Sequence, residues 1–235
     1  MNMLKVYHLP GRWGLVSVSP FCLKLDAFLR LSNIDHQSIT TGTPFGSPKR
    51  KAPWIEHDGA LISDSSLIID YLKETFKVDP SSHLSPAEKG VSLAIQRLIE
   101  DNLYWAMVHD RWIKPENWDI LKNSVLGDIP QPMRSILAPI AKSGVTKQVM
   151  GHGLGHHKNH EINQISQHNI NALAAILEDT PYFFGDKPSE VDAIVYAQLV
   201  NISRVPFHSD MKAMIAAHDN LEAFIDRFQI EIYSD

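Results

Sequence analysis

KAPWIEHDGALISDSSLIIDYL, residues 51–72, is the stretch on which the fold turns. Asp58-Gly59 separates two short runs, APWIEH and ALIS. An Asp-Gly pair between such runs is a strong hairpin signal, because a two-residue turn that matches strand twist needs positive φ at both positions. Asp64 follows, and after it Ile68, Leu72 and Phe76 recur at helical spacing on one face. An acidic side chain just ahead of such a run accepts from the free N–H groups of the first turn. The stretch predicts strand, tight turn, strand and capped helix.

Upstream, MLKVYHL (3–9) alternates as a strand, PGRWG reads as a loop, and Cys22, Leu25, Phe28 and Leu29 recur at helical spacing. Ser19 is a good N-cap for that helix, and Pro20 suits its first position. HQSIT (36–40) is a short strand, followed by the Gly/Pro-rich loop TGTPFGSPKRK. The order is strand-helix-strand, then hairpin-helix. VDPSSHLSP (78–86) is a polar, proline-bearing linker and the expected boundary between residues 1–78 and 87–235. Beyond it the pattern is helical: a long amphipathic run to Ile113, then PENWDILKNSVL, QPMRSILAPIAKSG, EINQISQHNINALAAILED, SEVDAIVYAQLVNI and NLEAFIDRFQIEIY. Ser189 and Asp192 have the spacing of a capping box. The fold class expected is an α/β N-terminal domain followed by an all-α domain.

The 235 residues are 44% hydrophobic and 21% charged, ordinary for a globular protein. No apolar run is long enough for a membrane span, and the N-terminus lacks a signal-peptide core. One cysteine excludes an internal disulfide, and a cytoplasmic location is expected. The net charge of −5 does not favour nucleic-acid binding. Residues 1–80 carry nine Lys/Arg against eight Asp/Glu, so the acidity lies in the second half. Lys49-Arg50-Lys51 is the main basic cluster, suited to a solvated loop or to attracting a small anion.

Together these residues resemble the glutathione transferase superfamily over nearly the whole chain. KAPWIEHDGALISDSSLIIDYL is similar to the strand-hairpin-helix core of its thioredoxin-like half, and YFFGDKPSEVDAIVYAQL to its late helix. SPFCLKLDAFLR and GHGLGHH resemble more narrowly the branch of failed-axon-connections proteins, metaxin relatives and bacterial counterparts. The resemblance implies a cis peptide before Pro53, with Ala52 presenting main-chain groups to the cysteinyl part of glutathione. It implies that Asp64 and Ser65 grip the γ-glutamyl end, where a helix N-terminus holds a carboxylate and Asp64 pairs with the ammonium. Lys49, Arg50 or Lys51 would meet the glycyl carboxylate. A homodimer is common in the family.

SVSPFCLK (17–24) places Ser19 where a thiol-redox tetrad would have its first cysteine. A cysteine there becomes a reactive thiolate. A serine instead donates a hydrogen bond to a bound thiolate, lowering the thiol's pKa and populating the nucleophile. The expected thiol residues are Ser19 and Ser17, with Tyr7 a third candidate and helix capping alone the structural alternative for Ser19. Cys22 reads as a buried structural thiol. Tyr104 and Trp105 are the expected wall for an apolar electrophile, although core packing also explains such aromatics.

GHGLGHHKNH carries His152, His156, His157 and His160, but its glycines preorganise no ligand set, and no metal is expected. A Gly-rich turn with an N-cap role is the simpler reading. His156 stands where the related branch has arginine. The expected activity is activation of glutathione's thiol for conjugation to an apolar electrophile. The alternatives are a non-catalytic scaffold and, more weakly, a metal-handling stress protein.

Overall fold

A computed structural model describes residues 3–234; Met1, Asn2 and Asp235, which fall inside the two expected segments, lie outside the described residues. β1 (Leu4–His8), α1 (Pro20–Leu31), β2 (His36–Thr40), β3 (Trp54–His57), β4 (Ala60–Ser63) and α2 (Ser65–Phe76) follow one another. They build a four-stranded sheet of order β2-β1-β3-β4. β1 and β2 are parallel, as a strand-helix-strand crossover requires, and the β1–β3 and β3–β4 pairs are antiparallel. The hairpin turn has φ of 46° at Asp58 and 84° at Gly59, the positive pair that Asp-Gly supplies.

Period-2 alternation sorts the sheet's two faces. Leu4 and Val6 of β1 and Ile55 of β3 pack under Phe28 and Leu29 of α1 and Ile68, Ile69 and Leu72 of α2. On the other face Tyr7 stacks flat on Trp54, with ring centroids 4.9 Å apart. The loop before β3 includes a short 3₁₀ turn, Pro44–Gly46. It is tied to the end of β4 by a 2.8 Å hydrogen bond between the buried Ser47 and Ser63 hydroxyls.

The remainder is helical: α3 (Pro86–Arg97), α4 (Tyr104–Trp112), α5 (Pro115–Ser124), α6 (Met133–His152), α7 (Asn159–Leu177), α8 (Glu190–Ser203), α9 (Asp210–Ala216) and α10 (Asp219–Tyr233). The expected long helix is α3 and α4 joined through a π-helical turn, Leu98–Leu103. α6 runs well past Gly144 and absorbs the start of the His-rich segment. Gly153, at φ 99°, then ends that helix. The Gly-rich turn is therefore a C-terminal stop for α6, where only glycine takes this backbone easily, and the start of α7 is capped instead by Glu161 accepting from the Lys158 N–H at 2.7 Å. The short α9 has no strong periodic signature.

α8 is buried on every side from Val191 to Ile202, and α1 packs along it, joining the halves. Asp192 starts α8: its carboxylate accepts from the Ser189 N–H at 2.7 Å, the Ser189 hydroxyl at 2.8 Å and the Phe183 N–H at 2.9 Å. The expected Ser189–Asp192 capping pair is thus present, and it also fixes the loop before α8. Asp192→Ala strands these donors in a dry environment and should cost about 3 kcal/mol. Urea unfolding should show a lower midpoint, with the slope unchanged.

Candidate active site

Three elements meet where the two halves face each other: the first turns of α1 and α2, and the π-helical turn. Ser19 caps α1, its hydroxyl oxygen accepting from the Cys22 N–H at 3.4 Å. Ser17 is 1% exposed. Its hydroxyl donates to the Leu9 carbonyl at 2.9 Å and accepts from the Ser19 N–H at 3.3 Å. Ser17 thus ties the loop to the end of β1, and its proton is already engaged. Cys22 is buried; burial pushes its thiol up, and the Leu9 backbone and the Ser19 and Ser17 hydroxyls offset this only in part. Tyr7 lies on the outer face of the sheet, its phenol donating to Glu56 at 3.1 Å beside the Lys5–Glu56 pair at 3.0 Å.

Asp64 caps α2, accepting from the Ser66 N–H at 3.2 Å. Its backbone sits at φ 89°, ψ 120°, a left-handed conformation that costs a non-glycine residue about 1–3 kcal/mol. Ser65 is buried beside it. Ala52-Pro53 is cis. Lys49, Arg50 and Lys51 are exposed on the adjoining loop, where the Ser47 hydroxyl accepts from the Lys51 N–H at 3.3 Å.

Beneath these first turns lies a polar cluster. Lys24, its side chain 2% exposed, donates to the Ser66 hydroxyl at 2.9 Å and to Glu100 at 2.7 Å. Gln96 donates to the same hydroxyl at 2.9 Å and to the other Glu100 oxygen at 3.0 Å. One ion pair and one amide therefore join α1, α2, α3 and the π-helical turn. On the helical side Tyr104 approaches Phe21, the second residue of α1, with centroids 4.7 Å apart. Burial pushes the Tyr104 phenol up, and Arg111 partly offsets it. Trp105 turns elsewhere and stacks on His152 at 4.8 Å, while that imidazole donates to the Asp101 carbonyl at 2.9 Å. One cavity of about 380 Å³ lies by Arg30, His36 and Glu231, and another of about 200 Å³ by Lys73, Gln96 and Glu190. Neither is lined by Ser19, Tyr104 or Trp105.

Among the described residues no group of three or more His, Cys, Asp or Glu side chains could hold a metal ion. Of the histidine segment, His152 is engaged with Trp105, and His157 lies 3.7 Å from Glu161.

The model of the glutathione S-transferase N-terminal domain matches residues 20–117, and that of the glutathione S-transferase C-terminal domain matches residues 166–228. The chain belongs to the glutathione transferase superfamily. The isoprene-epoxide–glutathione S-transferase of Rhodococcus sp. strain AD45 is 28% identical over 97% of this chain and 98% of its own length. Failed axon connections of Drosophila melanogaster is 29% identical over 79% of this chain, a match that spans only 46% of that longer protein. Human Metaxin-2 is 24% identical over 100% of this chain and 90% of its own. These two set the chain by a metaxin-like branch of the superfamily. A glutathione transferase from Phanerochaete chrysosporium superposes with a TM-score of 0.68 at 14% identity, covering 100% of this chain and 99% of that one. Another, from Methylobacterium radiotolerans in complex with glutathione sulfonate, gives 0.64 at 16% identity, covering 97% and 91%. At such identities they speak to the fold.

In this superfamily member, sequence reasoning found the capping residues of both helices and missed what lies between them. Lys24 on the otherwise apolar face of α1 was the available signal, since a lysine there must find a buried partner. Nothing local announces the π-helical turn that carries Glu100. Glu100→Ala should leave Lys24 buried and unpaired, at about 3–5 kcal/mol, whereas the double replacement Lys24→Met with Glu100→Met should recover most of that loss in a denaturation cycle. Cys22 should resist a thiol reagent at pH 8 until the protein unfolds, as stopped-time labelling with and without urea will show.

Proposed function

We propose that this chain is a glutathione transferase that activates the thiol of glutathione and adds it to a small apolar epoxide. The observation that carries the reading is the Lys24–Ser66 bond, which fixes the first turn of α2 beside the second turn of α1. The first turns of the two helices, held together in this way, offer N–H groups and the positive end of a helix dipole, one for a carboxylate and one for a thiolate. Ser19 donates to the thiolate, since the Ser17 proton is committed to Leu9 and Tyr7 is held by Glu56. Asp64 takes the ammonium and Ser65 the carboxylate of the γ-glutamyl end, and Ala52, ahead of Pro53, takes the cysteinyl main chain. Lys51 meets the glycyl carboxylate.

The epoxide class is supported by the likeness to the Rhodococcus protein along nearly the full length of both chains. The thiolate attacks a ring carbon, the S–C bond forms, the C–O bond breaks and the oxygen takes a proton. Tyr104, whose phenol burial keeps protonated, supplies that proton and regains one from water. Tyr104 and Phe21 form the apolar wall, with Trp105 behind them. This is a detoxification step; the single buried cysteine suits the reducing cytoplasm, and the active form is a homodimer. No helix among the described residues is long and apolar enough to cross a membrane.

The stacking of Trp105 on His152, and the cavities lying elsewhere, favour a second reading: a non-catalytic scaffold that keeps the fold. Calorimetric titration with glutathione separates the two. The transferase reading expects binding at millimolar concentration or tighter, weakened about tenfold by Ser65→Ala. It also expects glutathione consumption with a simple aliphatic epoxide, and a higher bound-thiol pKa in Ser19→Ala. No heat up to several millimolar and no turnover would leave the scaffold.

A further inference from the structure

Arg111, on α4, is a buried cation beside the thiol turn that the proposed chemistry has not used. It is 6% exposed. One terminal nitrogen donates to the Val18 carbonyl at 2.9 Å, on the residue just before Ser19. The other donates to the Asn201 main-chain carbonyl, and to the Asn201 side-chain oxygen at 3.1 Å. The guanidinium lies over the Phe207 ring, 5.0 Å from its centroid, and its buried Nε–H has no partner. Among the described residues no carboxylate pairs with it. The adjacent Asp110 is taken by Lys114 at 2.7 Å and Ser209 at 2.5 Å, with His109 at 3.8 Å.

A buried charge without a counter-ion is expensive, and a side chain needed only as a hydrogen-bond clamp need not carry one. The ionisable groups that face it are Tyr104 on its own helix and Lys212 on α9, whose ammonium donates to the Val205 carbonyl. Tyr104 in turn packs against Phe21 in the first turn of α1, with ring centroids 4.7 Å apart, so one phenol lies between Arg111 and that turn. Burial lowers Arg111 to about 10, which leaves it charged at neutral pH.

We propose that Arg111 is the positioning residue of the thiol site: it holds the Val18 carbonyl and so the approach to Ser19, and its unmatched charge stabilises a thiolate bound at the first turn of α1. The inference rests on the glutathione reading. In this arrangement the missing counter-ion is the substrate's own sulfur, which becomes an anion when its proton leaves to water. A low-dielectric setting makes such a charge effective over several ångströms where it would be screened in solvent.

Asn201→Asp gives Arg111 a carboxylate without changing side-chain size, and Arg111→Gln removes the charge. The thiolate absorbance of bound glutathione is titrated with pH in the wild type and both variants, with binding measured at pH 5.5, where the thiol is neutral, and Tm recorded for each. The expected result is a titration midpoint about one pH unit higher in Asn201→Asp, hence up to about tenfold less thiolate at pH 7, with pH 5.5 affinity within twofold of wild type. Arg111→Gln, if folded, should show the same midpoint change. An unmoved midpoint in Asn201→Asp overturns the proposal; a change in Tm does not bear on it, because the substitution also removes the Asn201 amide's bond to the Ala197 carbonyl at 3.1 Å. Wild-type protein that binds no glutathione would instead sink the transferase reading itself. A depressed wild-type midpoint that Asn201→Asp leaves alone sinks only the role of Arg111.

Discussion

The Lys24–Glu100 pair is the constraint on which the placement of the first turns of α1 and α2 depends. Lys24 belongs to α1, Glu100 to the π-helical turn, and Ser66 of α2 and Gln96 of α3 complete their hydrogen bonds. Removing these groups from water costs several kcal/mol, so the pair is tolerable only with such companions in place. That requirement works in reverse as well. Since a misplaced α2 or α3 would leave a buried charge short of partners, the two halves have one register in which the cluster closes. Ser19 and Asp64–Ser65 inherit their relative position from it.

The π-helical turn is what lets one stretch of chain serve both sides. A regular helix from Pro86 to Trp112 would keep every carbonyl in its own ladder. The wider turn sends Glu100 toward α1 and leaves the Asp101 carbonyl for His152, which then stacks on Trp105. The glycine stop at Gly153 brings His152 to that place. The histidine segment therefore has a packing role, joining the end of α6 to the helix that carries Tyr104 and Trp105.

Electrostatics around the first turn of α1 has a consistent sign. The helix dipole, the Ser19 hydroxyl and Arg111 all favour an anion there, and among the described residues no carboxylate pairs with Arg111. Cys22, although in the same turn, points into the core, and burial keeps its thiol protonated. The turn's own cysteine therefore does not supply a thiolate. Asp64, held at positive φ, is the corresponding cost at the other turn, where a strained backbone is retained at the proposed ligand site.

Much of the first half was legible because its signals are local. The Asp58-Gly59 hairpin, the Ser19 and Asp64 caps, the alternation of β1 and the helical faces of α1 and α2 each need only a few neighbouring residues. The Ser189–Asp192 cap could be read for the same reason, since its spacing is a property of the first turn. The end of α6 was misplaced because periodicity weakens after Gly144 while tertiary packing carries the helix on to His152. The short α9 has too few residues for a pattern to emerge.

By itself, then, the sequence determined the elements of the sheet half, the helical character of the rest and the residues that begin the important helices, because capping and period are short-range physics. Only the tertiary structure decided which groups have protons to give. It spent the Ser17 hydroxyl on Leu9 and the Tyr7 phenol on Glu56, turned Trp105 toward His152, matched Lys24 to Glu100 across 76 residues and set Arg111 against Val18 across 93. A hydrogen-bond partner or a counter-ion far along the chain leaves no periodic mark. It exists only once burial forces each polar group to find one.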